Sequence, residues 1–523
     1  MILRVPVVLA LFQLLRTARC HRPTIVIIVA DDLGWNDVGF HSGDVHTPNL
    51  DSLAYHGIIL NRHYSQPLCS PSRTALLTGD YPFRHGMQGR PCLAGHQHGL
   101  KPGVKLMPEY FSRLGYRSHL VGKWHLGYES IDHLPTRRGF DSFFGYYNGF
   151  LGYWDGTHYA SEMVGRDFWR NETGAWREVY GTYLTDLLTK EAIKIIEDHH
   201  GEGLLLVIGH AAVHGTDLPL SREAPPQVSN NTERGYLRAM TEKLDWSVGE
   251  IVSALGKKGD LDNSIIVFMS DNGGLPASPA RQNGASNWPL RGEKKSVHEG
   301  GVRTVALAWS PLFNKSSRVS EQLFHISDWL PTLYAAAGGS PEDLPIKDGI
   351  NQWHSLSSAE RGPRDTLVVD INDLDNSEAI IEGRWKLVKN YAPDIKLKIA
   401  DGYYGQSGYW MPYDKEGVEG STVNKRLGPL PANYSELRKI ARVEHVCSGA
   451  SNNYCNYCLF DVFHDPTECK DLSSTYPAIA SNLKRLLDSY RPYVVPGKVV
   501  PFDERAYPKY SEDYWAPWLN IRE

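Results

Sequence analysis

Short apolar runs alternate with longer amphipathic segments over the first two-thirds of the chain. The apolar runs predict buried strands at Thr24–Ala30, Tyr116–Val121, Leu204–Ile208 and Ile265–Met269. The amphipathic segments predict helices at Thr185–His199, Tyr236–Leu255 and Ile326–Ala337, the last of which stops at Gly338 and Gly339. Because strands that alternate with helices form parallel sheets covered by helices, the pattern predicts an α/β fold with a large, mostly parallel sheet.

This alternation stops after about residue 355. Two strand-like runs, 379–382 and 385–388, flank Gly383 and predict a hairpin. A stretch rich in Gly, Tyr and Pro follows. We therefore predict a larger domain over residues 21–360 and a smaller α+β domain over residues 361–523.

The first 20 residues have the layout of a secretory signal. Arg4 is followed by the apolar run 5–15, and the small residues Ala18 and Cys20 precede a predicted cleavage site before His21. This run is too short to span a bilayer, and no later run is long enough. We expect a secreted or lysosomal protein.

Sequons and cysteines agree with an oxidising compartment. Four Asn-x-Ser/Thr sequons begin at Asn171, Asn230, Asn314 and Asn433. Four cysteines fall within residues 447–469, namely Cys447, Cys455, Cys458 and Cys469. We predict disulfides 447–455 and 458–469, with 447–458 and 455–469 as the competing pairing. A zinc site at Cys455 and Cys458, with His464 nearby, is the rival interpretation.

The net charge narrows the classes of partner. With a formal charge of −5 and no basic run, the chain does not look like a nucleic-acid-binding protein. An anionic substrate is still possible, because a basic pocket can lie in an acidic protein.

Acidic pairs follow two of the predicted strands directly. Asp31 and Asp32 come after the first strand, and Asp271 and Asn272 come after the strand 265–269. One such pair would be ordinary turn chemistry. Two pairs at the carboxyl ends of buried strands, where open parallel sheets bind ligands, predict a metal site. Because all the ligands are oxygens, the expected ion is Ca²⁺, with Mg²⁺ as the alternative.

Basic residues follow the other two strands. Lys123 and His125 come after the strand 116–121, and His210 and His214 come after the strand 204–208. These loops are expected to meet the acidic pairs at one edge of the sheet. We take His210 to be structural.

The segment Cys69-Ser70-Pro71-Ser72-Arg73 predicts the start of a helix. Ser70 and Pro71 can cap and begin a helix that ends near Leu77, with Gly79 beyond it. Cys69 then lies at a helix N-terminus, where backbone N–H groups favour an anion.

These segments together resemble the type I sulfatase family, in which a Cys-x-Pro-Ser-Arg signal directs oxidation of the cysteine to formylglycine. Within that family the chain is most similar to animal arylsulfatase B, an N-acetylgalactosamine-4-sulfatase. The matching motifs are Asp31-Asp32-Leu33-Gly34, Gly122-Lys123-Trp124-His125-Leu126-Gly127, Asp271-Asn272-Gly273-Gly274 and the segment from Asn287 to Arg303 with Lys294. The resemblance implies an alkaline-phosphatase-like core, one bound calcium and a formylglycine-generating enzyme as maturation partner.

The resemblance also implies a role for each matching residue. Asp31, Asp32, Asp271, Asn272 and residue 69 would bind the metal. The hydrated aldehyde at Cys69 would attack sulfur with help from Asp271, and Arg73 would steady the diol. The lysines at 123 and 294 would hold sulfate oxygens. His214 would protonate the leaving alcohol, and His125 would take the proton of the second hydroxyl and so restore the aldehyde.

The implied activity is hydrolysis of sulfate esters, with N-acetylgalactosamine 4-sulfate in glycosaminoglycans as the leading substrate. Small aryl or alkyl sulfates are the first alternative, and phosphate or phosphonate monoesters on the same scaffold are the second. The chain departs from the family after His214, where Gly215 and Thr216 replace the usual Glu-Pro. It also lacks the C-terminal cysteine of arylsulfatase B, so we expect Cys92 to be unpaired or joined to another chain.

Overall fold

The computed structural model describes residues 22–519 except 43, 161–162, 202, 217, 229–230, 277–282, 391–411 and 444–454. The predicted signal segment, Asn230 and Cys447 lie outside the described residues. Strands cover β1 Thr24–Ala30, β2 Ile58–Leu60, β3 His63–Tyr64, β4 Arg117–Lys123, β5 Ser142–Tyr146, β6 Thr157–Ala160, β7 Met163–Arg166, β8 Trp169–Arg170, β9 Thr173–Gly174, β10 Leu204–Gly209, β11 Ser264–Ser270, β12 Ala306–Trp309, β13 Arg318–Ser320, β14 Phe324–His325, β15 Thr366–Asn372, β16 Ser377–Glu382, β17 Trp385–Asn390 and β18 Cys455–Asp461.

Helices of very different lengths connect these strands. They cover α1 Pro48–His56, α2 Cys69–Thr78, α3 Met107–Phe111, α4 Trp176–Val179, α5 Leu184–Asp198, α6 Leu220–Glu223, α7 Glu233–Lys258, α8 Glu299–Val302, α9 Trp329–Ala336, α10 Trp353–Ser358, α11 Lys415–Gly420, α12 Thr422–Leu427, α13 Tyr434–Ala441 and α14 Pro477–Asp488. Short 3₁₀ turns cover Pro82–Arg84, Ser112–Leu114, Ile131–His133, Pro135–Arg137, Leu261–Asn263, Ile326–Asp328, Pro341–Asp343, Arg491–Tyr493, Glu504–Ala506 and Pro508–Tyr510.

A ten-stranded sheet forms the larger part of the molecule, in the order β13-β2-β12-β11-β1-β10-β4-β5-β8-β9. Its five central strands, from β11 to β5, are parallel, whereas β12 and β8 pair antiparallel on either side. The predicted α/β fold with a mostly parallel sheet is confirmed. Helices pack on both faces, where two separate hydrophobic clusters bury the alternating side chains of β1.

The predicted elements agree with the structure, with small shifts at their ends. Strand β1 has the predicted bounds, whereas β4 extends two residues further than predicted, so that Lys123 is its last residue. The predicted helix 326–337 begins as a 3₁₀ turn and continues as α9. Ser70 does not cap the helix before Gly79, because α2 already begins at Cys69 with Leu68 as its N-cap.

The predicted hairpin belongs to a second, four-stranded antiparallel sheet, β15-β16-β17-β18. One face of this sheet packs on residues of the larger part, including Tyr64 and Val302. The other face packs on Leu483 and Leu487 of α14. The smaller sheet is thus packed between the larger part of the molecule and α14.

The structure separates two of the cysteine interpretations. Cys458 and Cys469 are both disulfide-bonded, which overturns the zinc site, and Cys92 is free within this chain, as either of its two expected fates requires. Because Cys447 and the side chain of Cys455 lie outside the described residues, the pairing stays a prediction. No described helix is both long and apolar enough to cross a bilayer.

Candidate active site

Four oxygen-bearing side chains meet where β1 and β11 end. Each follows its strand directly, and the two strands pair in parallel from Thr24 with Ser264 to Ala30 with Ser270, so their ends are level. The amide of Asn272 donates to Asp32 Oδ1 at 2.7 Å, and the backbone N–H of Asp271 donates to the carbonyl of Ala30 at 3.1 Å. The predicted acidic pairs are therefore brought together, all fully buried or nearly so.

Cys69 faces this cluster from the first turn of α2. Ligand atoms of Asp31, Cys69 and Asp271 all lie within 4.8 Å of one another, as do those of Asp31, Asp32 and His214. Burial raises the pKa of the Cys69 thiol, although Lys123 and Lys294 act in the opposite direction. An anion at this helix N-terminus would be stabilised by the backbone N–H groups of the first turn.

The rest of the Cys69 motif ties α2 to the end of β11. Arg73 donates to Asp271 Oδ2 at 3.0 Å and to the carbonyl of Lys123 at 3.1 Å. The hydroxyl of Ser72 donates to the carbonyl of Asp271. Ser70 donates to the carbonyl of His125 at 2.9 Å and accepts from the backbone N–H of Cys92 at 3.0 Å. These bonds fix the helix relative to the acidic cluster.

Two lysines neutralise the first acidic pair. Lys123 Nζ lies 2.5 Å from Asp31 Oδ2, and Lys294 Nζ lies 2.6 Å from Asp32 Oδ1. Burial, with Asp271 close by, raises the pKa of Asp31 to about 7, although Lys123 opposes this shift. Burial also acts to raise the pKa of Asp32, but Lys294 and His214 outweigh it and hold that pKa well below its usual range.

The tautomer of His125 follows from its hydrogen bond. Its Nε2 lies 3.0 Å from the carbonyl oxygen of Cys92, which can only accept, so Nε2 carries the proton. Its Nδ1 is buried without a hydrogen-bond partner in the described part of the chain. Burial and the neighbouring Lys123 hold the pKa of His125 well below its usual range. The ring is therefore neutral, with a free lone pair on Nδ1 that can take a proton.

His214 presents its other nitrogen to the cluster. Nδ1 donates to the carbonyl of Gly215, and Nε2 lies 3.5 Å from Asp32 Oδ2. The ring of Phe150 stacks on it with a centroid separation of 5.6 Å and an interplanar angle of 7°. Burial and Lys294 lower the pKa of His214, whereas Asp32 acts to raise it.

A cleft of about 800 Å³ opens above these residues. Asp32, Cys69, His125, His214 and Lys294 line it, whereas Asp31, Arg73, Lys123, Asp271 and Asn272 lie beneath that surface. The site therefore has two layers. The cleft surface carries the residue-69 position, two imidazoles and the ammonium group of Lys294, and a buried layer of acidic and basic side chains lies beneath it.

The acidic cluster meets the requirements of a hard cation. Asp31 Oδ1 and Asn272 Oδ1 are both buried, and neither has a hydrogen-bond partner among the described residues. Buried oxygens in that state are costly unless a ligand satisfies them. Since the surrounding donors are carboxylate and amide oxygens, the residues fit Ca²⁺ or Mg²⁺ better than a thiophilic metal.

Sequence reasoning predicted the acidic, basic and cysteine residues that converge here, each by the strand that it follows or by its motif. It missed Ser70 as a link between loops, because the Ser-Pro pair looked like a cap. It also missed Phe150 and Asn283, whose amide donates to the carbonyls of Asp32 and Val213 at 3.3 and 3.0 Å. Neither lies next to a predicted strand, so no local signal marked them. His210, which we set aside as structural, is fully buried against Ser247 of α7.

Comparisons with known proteins agree on one family. The sulfatase family profile matches residues 23–339. Arylsulfatase J of Mus musculus is 34% identical over 96% of this chain and 81% of its own length. N-acetylgalactosamine-6-sulfatase of the same species is 34% identical over 66% of this chain and 68% of its own length. Among solved structures, Ps i-CgsB matches with a TM-score of 0.69 and 26% identity, over 91% of this chain and 94% of that one.

Proposed function

Because this chain belongs to the sulfatase family and is therefore a sulfuric ester hydrolase with the alkaline-phosphatase-like fold, we propose a specific site and substrate for it. The proposed reaction is removal of sulfate from N-acetylgalactosamine 4-sulfate in glycosaminoglycans. The observation that carries the proposal is the meeting of Cys69, two buried acidic pairs, two lysines and two histidines at the base of one cleft.

Two groups complete the site in this proposal. Cys69 is converted to formylglycine, whose hydrate supplies the nucleophilic oxygen. Asp31, Asp32, Asp271 and Asn272 hold Ca²⁺, or Mg²⁺ as the alternative, which supplies positive charge beside that oxygen. The orphaned oxygens of Asp31 and Asn272 support the second assignment.

Different residues of the chain are proposed to accept protons and to bind the sulfate oxygens. Asp271, held by Arg73 at 3.0 Å, is placed to take the proton of the nucleophile. Lys294 lines the cleft and holds a sulfate oxygen, while Lys123 offers a second positive charge from below. His125 has an unoccupied Nδ1 that accepts a proton when sulfate leaves.

His214 acts as the acid for the leaving alcohol. Its Nε2 faces Asp32 and is the nitrogen that must carry the proton. In the free protein its pKa lies well below the usual range, chiefly because of burial and Lys294. An anionic ester bound beside Lys294 would offset that ammonium charge and raise the pKa of His214. Substrate binding would therefore favour the charged, acidic form of His214.

The proposed substrate rests on the similarity of this chain to sulfatases whose names give their substrates. The motifs resemble arylsulfatase B, which acts on the 4-sulfate, whereas one relative at 34% identity is named for the 6-sulfate and another for aryl sulfates. We propose the 4-sulfate first and the 6-sulfate and small aryl or alkyl sulfates as alternatives. Assays of a chromogenic aryl sulfate and of both sulfated sugars would decide. Cleavage of the aryl ester without either sugar would reject the carbohydrate substrate.

We also propose that the protein matures in the secretory pathway, where the formylglycine-generating enzyme would meet it. Three described sequons, at Asn171, Asn314 and Asn433, are exposed, and two cysteines are oxidised. The proposed domains, 21–360 and 361–523, are supported by the separate four-stranded sheet. Mass spectrometry of secreted protein would test both the glycans and the aldehyde at residue 69. An unmodified cysteine in active enzyme would reject the mechanism.

A further inference from the structure

The cleft above Cys69 has a second polar wall that the proposed chemistry does not use. We call it the distal wall, and it consists of Arg90, Asp370, Asn372, Asp375 and Ser377. Four of these residues come from β15, from the start of β16 or from the turn between these strands, more than 300 positions away from Cys69 in sequence. The second sheet therefore contributes directly to the surface that a substrate would meet.

A β-bulge aims Asp370 at the cleft. Val368 pairs with Ile380, but the next pair is Asp370 with Ala379, so Val369 is an extra residue in β15. In a regular strand Asp370 would share a face with Val368, which packs in the cluster against α14. The bulge instead puts Asp370 on the face of Val369 and Ala379, which packs against the larger part of the molecule.

The other charged groups of the distal wall are already paired. Arg90 binds both carboxylate oxygens of Asp375 at 2.7 and 2.8 Å. Asn372 donates to Asp375 at 3.1 Å and accepts from the backbone N–H groups that follow it. These contacts hold the turn in place and leave little net charge on it.

Asp370 differs from its neighbours on this wall. Only 4% of it is exposed, and no side chain in the described part of the chain donates a hydrogen bond to its carboxyl group. Burial, together with Asp375, Asp373 and Glu378, raises the pKa of Asp370 to about 8, against the backbone N–H of Ile371. A buried carboxyl group that meets only its neighbour's backbone N–H, beside an open cleft, still has acceptor capacity for a ligand.

We infer that Asp370 is a specificity-determining residue that hydrogen-bonds a hydroxyl or amide N–H of the sugar ring carrying the sulfate. The inference deepens the proposed function and rests on it. The sulfate is already assigned to Lys294 and Lys123, so the partner of Asp370 is the uncharged part of the substrate. A sugar ring has hydroxyl and amide donors beside the ester, whereas a simple aryl ring has none. Asp370 would therefore favour sulfated sugars over aryl sulfates.

The test compares two kinds of substrate in one enzyme. Asp370→Ala and Asp370→Asn are assayed for kcat/KM on a chromogenic aryl sulfate and on N-acetylgalactosamine 4-sulfate and 6-sulfate. For Asp370→Ala the ratio of sugar to aryl kcat/KM should fall about tenfold or more, because the binding partner of a ring donor is lost. Asp370→Asn keeps an acceptor oxygen of the same size and should recover much of that ratio.

Glu378→Gln is the matched control. Glu378 is equally buried on the neighbouring strand, but it pairs with Arg491 and does not line the cleft. Its substitution should leave the sugar-to-aryl ratio unchanged. Thermal melting of all variants separates loss of folding from loss of recognition.

The possible outcomes separate a failure of the Asp370 inference from a failure of the proposed function. An unchanged ratio in Asp370→Ala, or a ratio lowered equally by Glu378→Gln, would overturn the inference. Wild-type enzyme that cleaves the aryl ester but neither sugar would overturn it as well, while leaving sulfatase activity intact. Wild-type enzyme with a verified aldehyde at residue 69 that cleaves no ester would reject the proposed function itself.

Discussion

Two clusters of buried charge share one short segment, residues 291–303, and are built differently. The segment supplies Lys294 to the active site. A few residues later it enters a second group, which we call the junction cluster, at the contact between the two sheets. The junction cluster consists of His298, Glu299, Arg303, Lys386 and Glu468.

The junction cluster is closed off from the cleft. Lys386 Nζ lies 2.8 Å from Glu299 and 3.1 Å from Glu468, and Glu468 also accepts from the backbone N–H of Glu299 at 2.8 Å. None of its members lines the cleft. Both clusters contain buried polar atoms without a described hydrogen-bond partner, His298 Nε2 and Glu468 Oε1 in the junction cluster and Asp31 Oδ1 and Asn272 Oδ1 in the active site. Only the active-site atoms lie next to residues that line the cleft, since Asp31 is close to Cys69 and Asn272 is bonded to Asp32. Buried charges of similar kind thus join the two sheets in the junction cluster, whereas in the active site they lie next to the cleft, where a ligand can reach them.

We call Cys69 together with Asp31, Asp32, Asp271 and Asn272 the open cluster. The largest expected effect comes from removing Cys69, the proposed nucleophile of this cluster. Cys69→Ala should lower sulfate ester hydrolysis by about a thousandfold or more, because the nucleophile is gone. The free energy of unfolding should change little, since the junction cluster is untouched. Cys69→Ser should be equally inactive or stall as a sulfated enzyme. Full activity of the serine variant would contradict the proposed mechanism.

Removal of a metal ligand should come next in size. Asp271→Ala should lose bound metal and lower activity by about a hundredfold or more, because it removes both a proposed ligand and the proposed base. Elemental analysis of wild-type protein should find about one Ca²⁺ or Mg²⁺ per chain. Chelation should abolish activity and re-addition restore it. Stoichiometric zinc in fully active protein would show that the oxygen-ligand assignment is wrong.

The junction cluster should respond in the opposite manner. Lys386→Met leaves Glu299 and Glu468 buried without their shared cation and should lower the free energy of unfolding by about 3–5 kcal/mol. Activity per folded molecule should change far less than in Asp271→Ala. Adding Glu468→Gln should restore part of the stability, because it removes one stranded charge. A variant as stable as wild type would mean that the cluster does not hold the sheets together.

The junction cluster also predicts how stability depends on pH. Burial acts to raise the pKa of Glu468, but Lys386 and His298 outweigh it and hold the pKa at about 2, below the ordinary 4.5. Because the folded pKa is the lower one, this stability is present above pH 4.5 and lost as the pH falls towards 2. The loss should reach about 3 kcal/mol at most. Melting temperatures across that range should fall less steeply in Glu468→Gln, and equal slopes would refute the assignment.

The open cluster was far easier to predict from sequence than the closed one. Asp31, Asp32, Asp271 and Asn272 directly follow buried strands, so a local pattern and one rule about sheet edges bring them together. The pairing of Lys386 with Glu299 and Glu468 joins positions 87 and 82 residues apart, and neither Lys386 nor Glu468 lies in a motif. The bulge that places Asp370 on the other face of the sheet could likewise not be predicted from the sequence, because one extra residue leaves the hydrophobic pattern of β15 almost unchanged.

The smallest expected effect concerns the disulfides beside the junction cluster. Cys469 follows Glu468 directly, and Cys458 lies in β18, opposite Val388 of β17, so the disulfide bonding of these two cysteines lies at the edge of the smaller sheet. Each short loop should contribute at most about 3 kcal/mol by the chain-entropy estimate. Cys458→Ser should therefore loosen the smaller sheet without abolishing hydrolysis of an aryl sulfate. Non-reducing peptide mapping checks the predicted pairs, 447–455 and 458–469. A peptide that joins Cys92 to any of these four would contradict the free thiol found beside the active site, and linked 447–458 would favour the competing pairing.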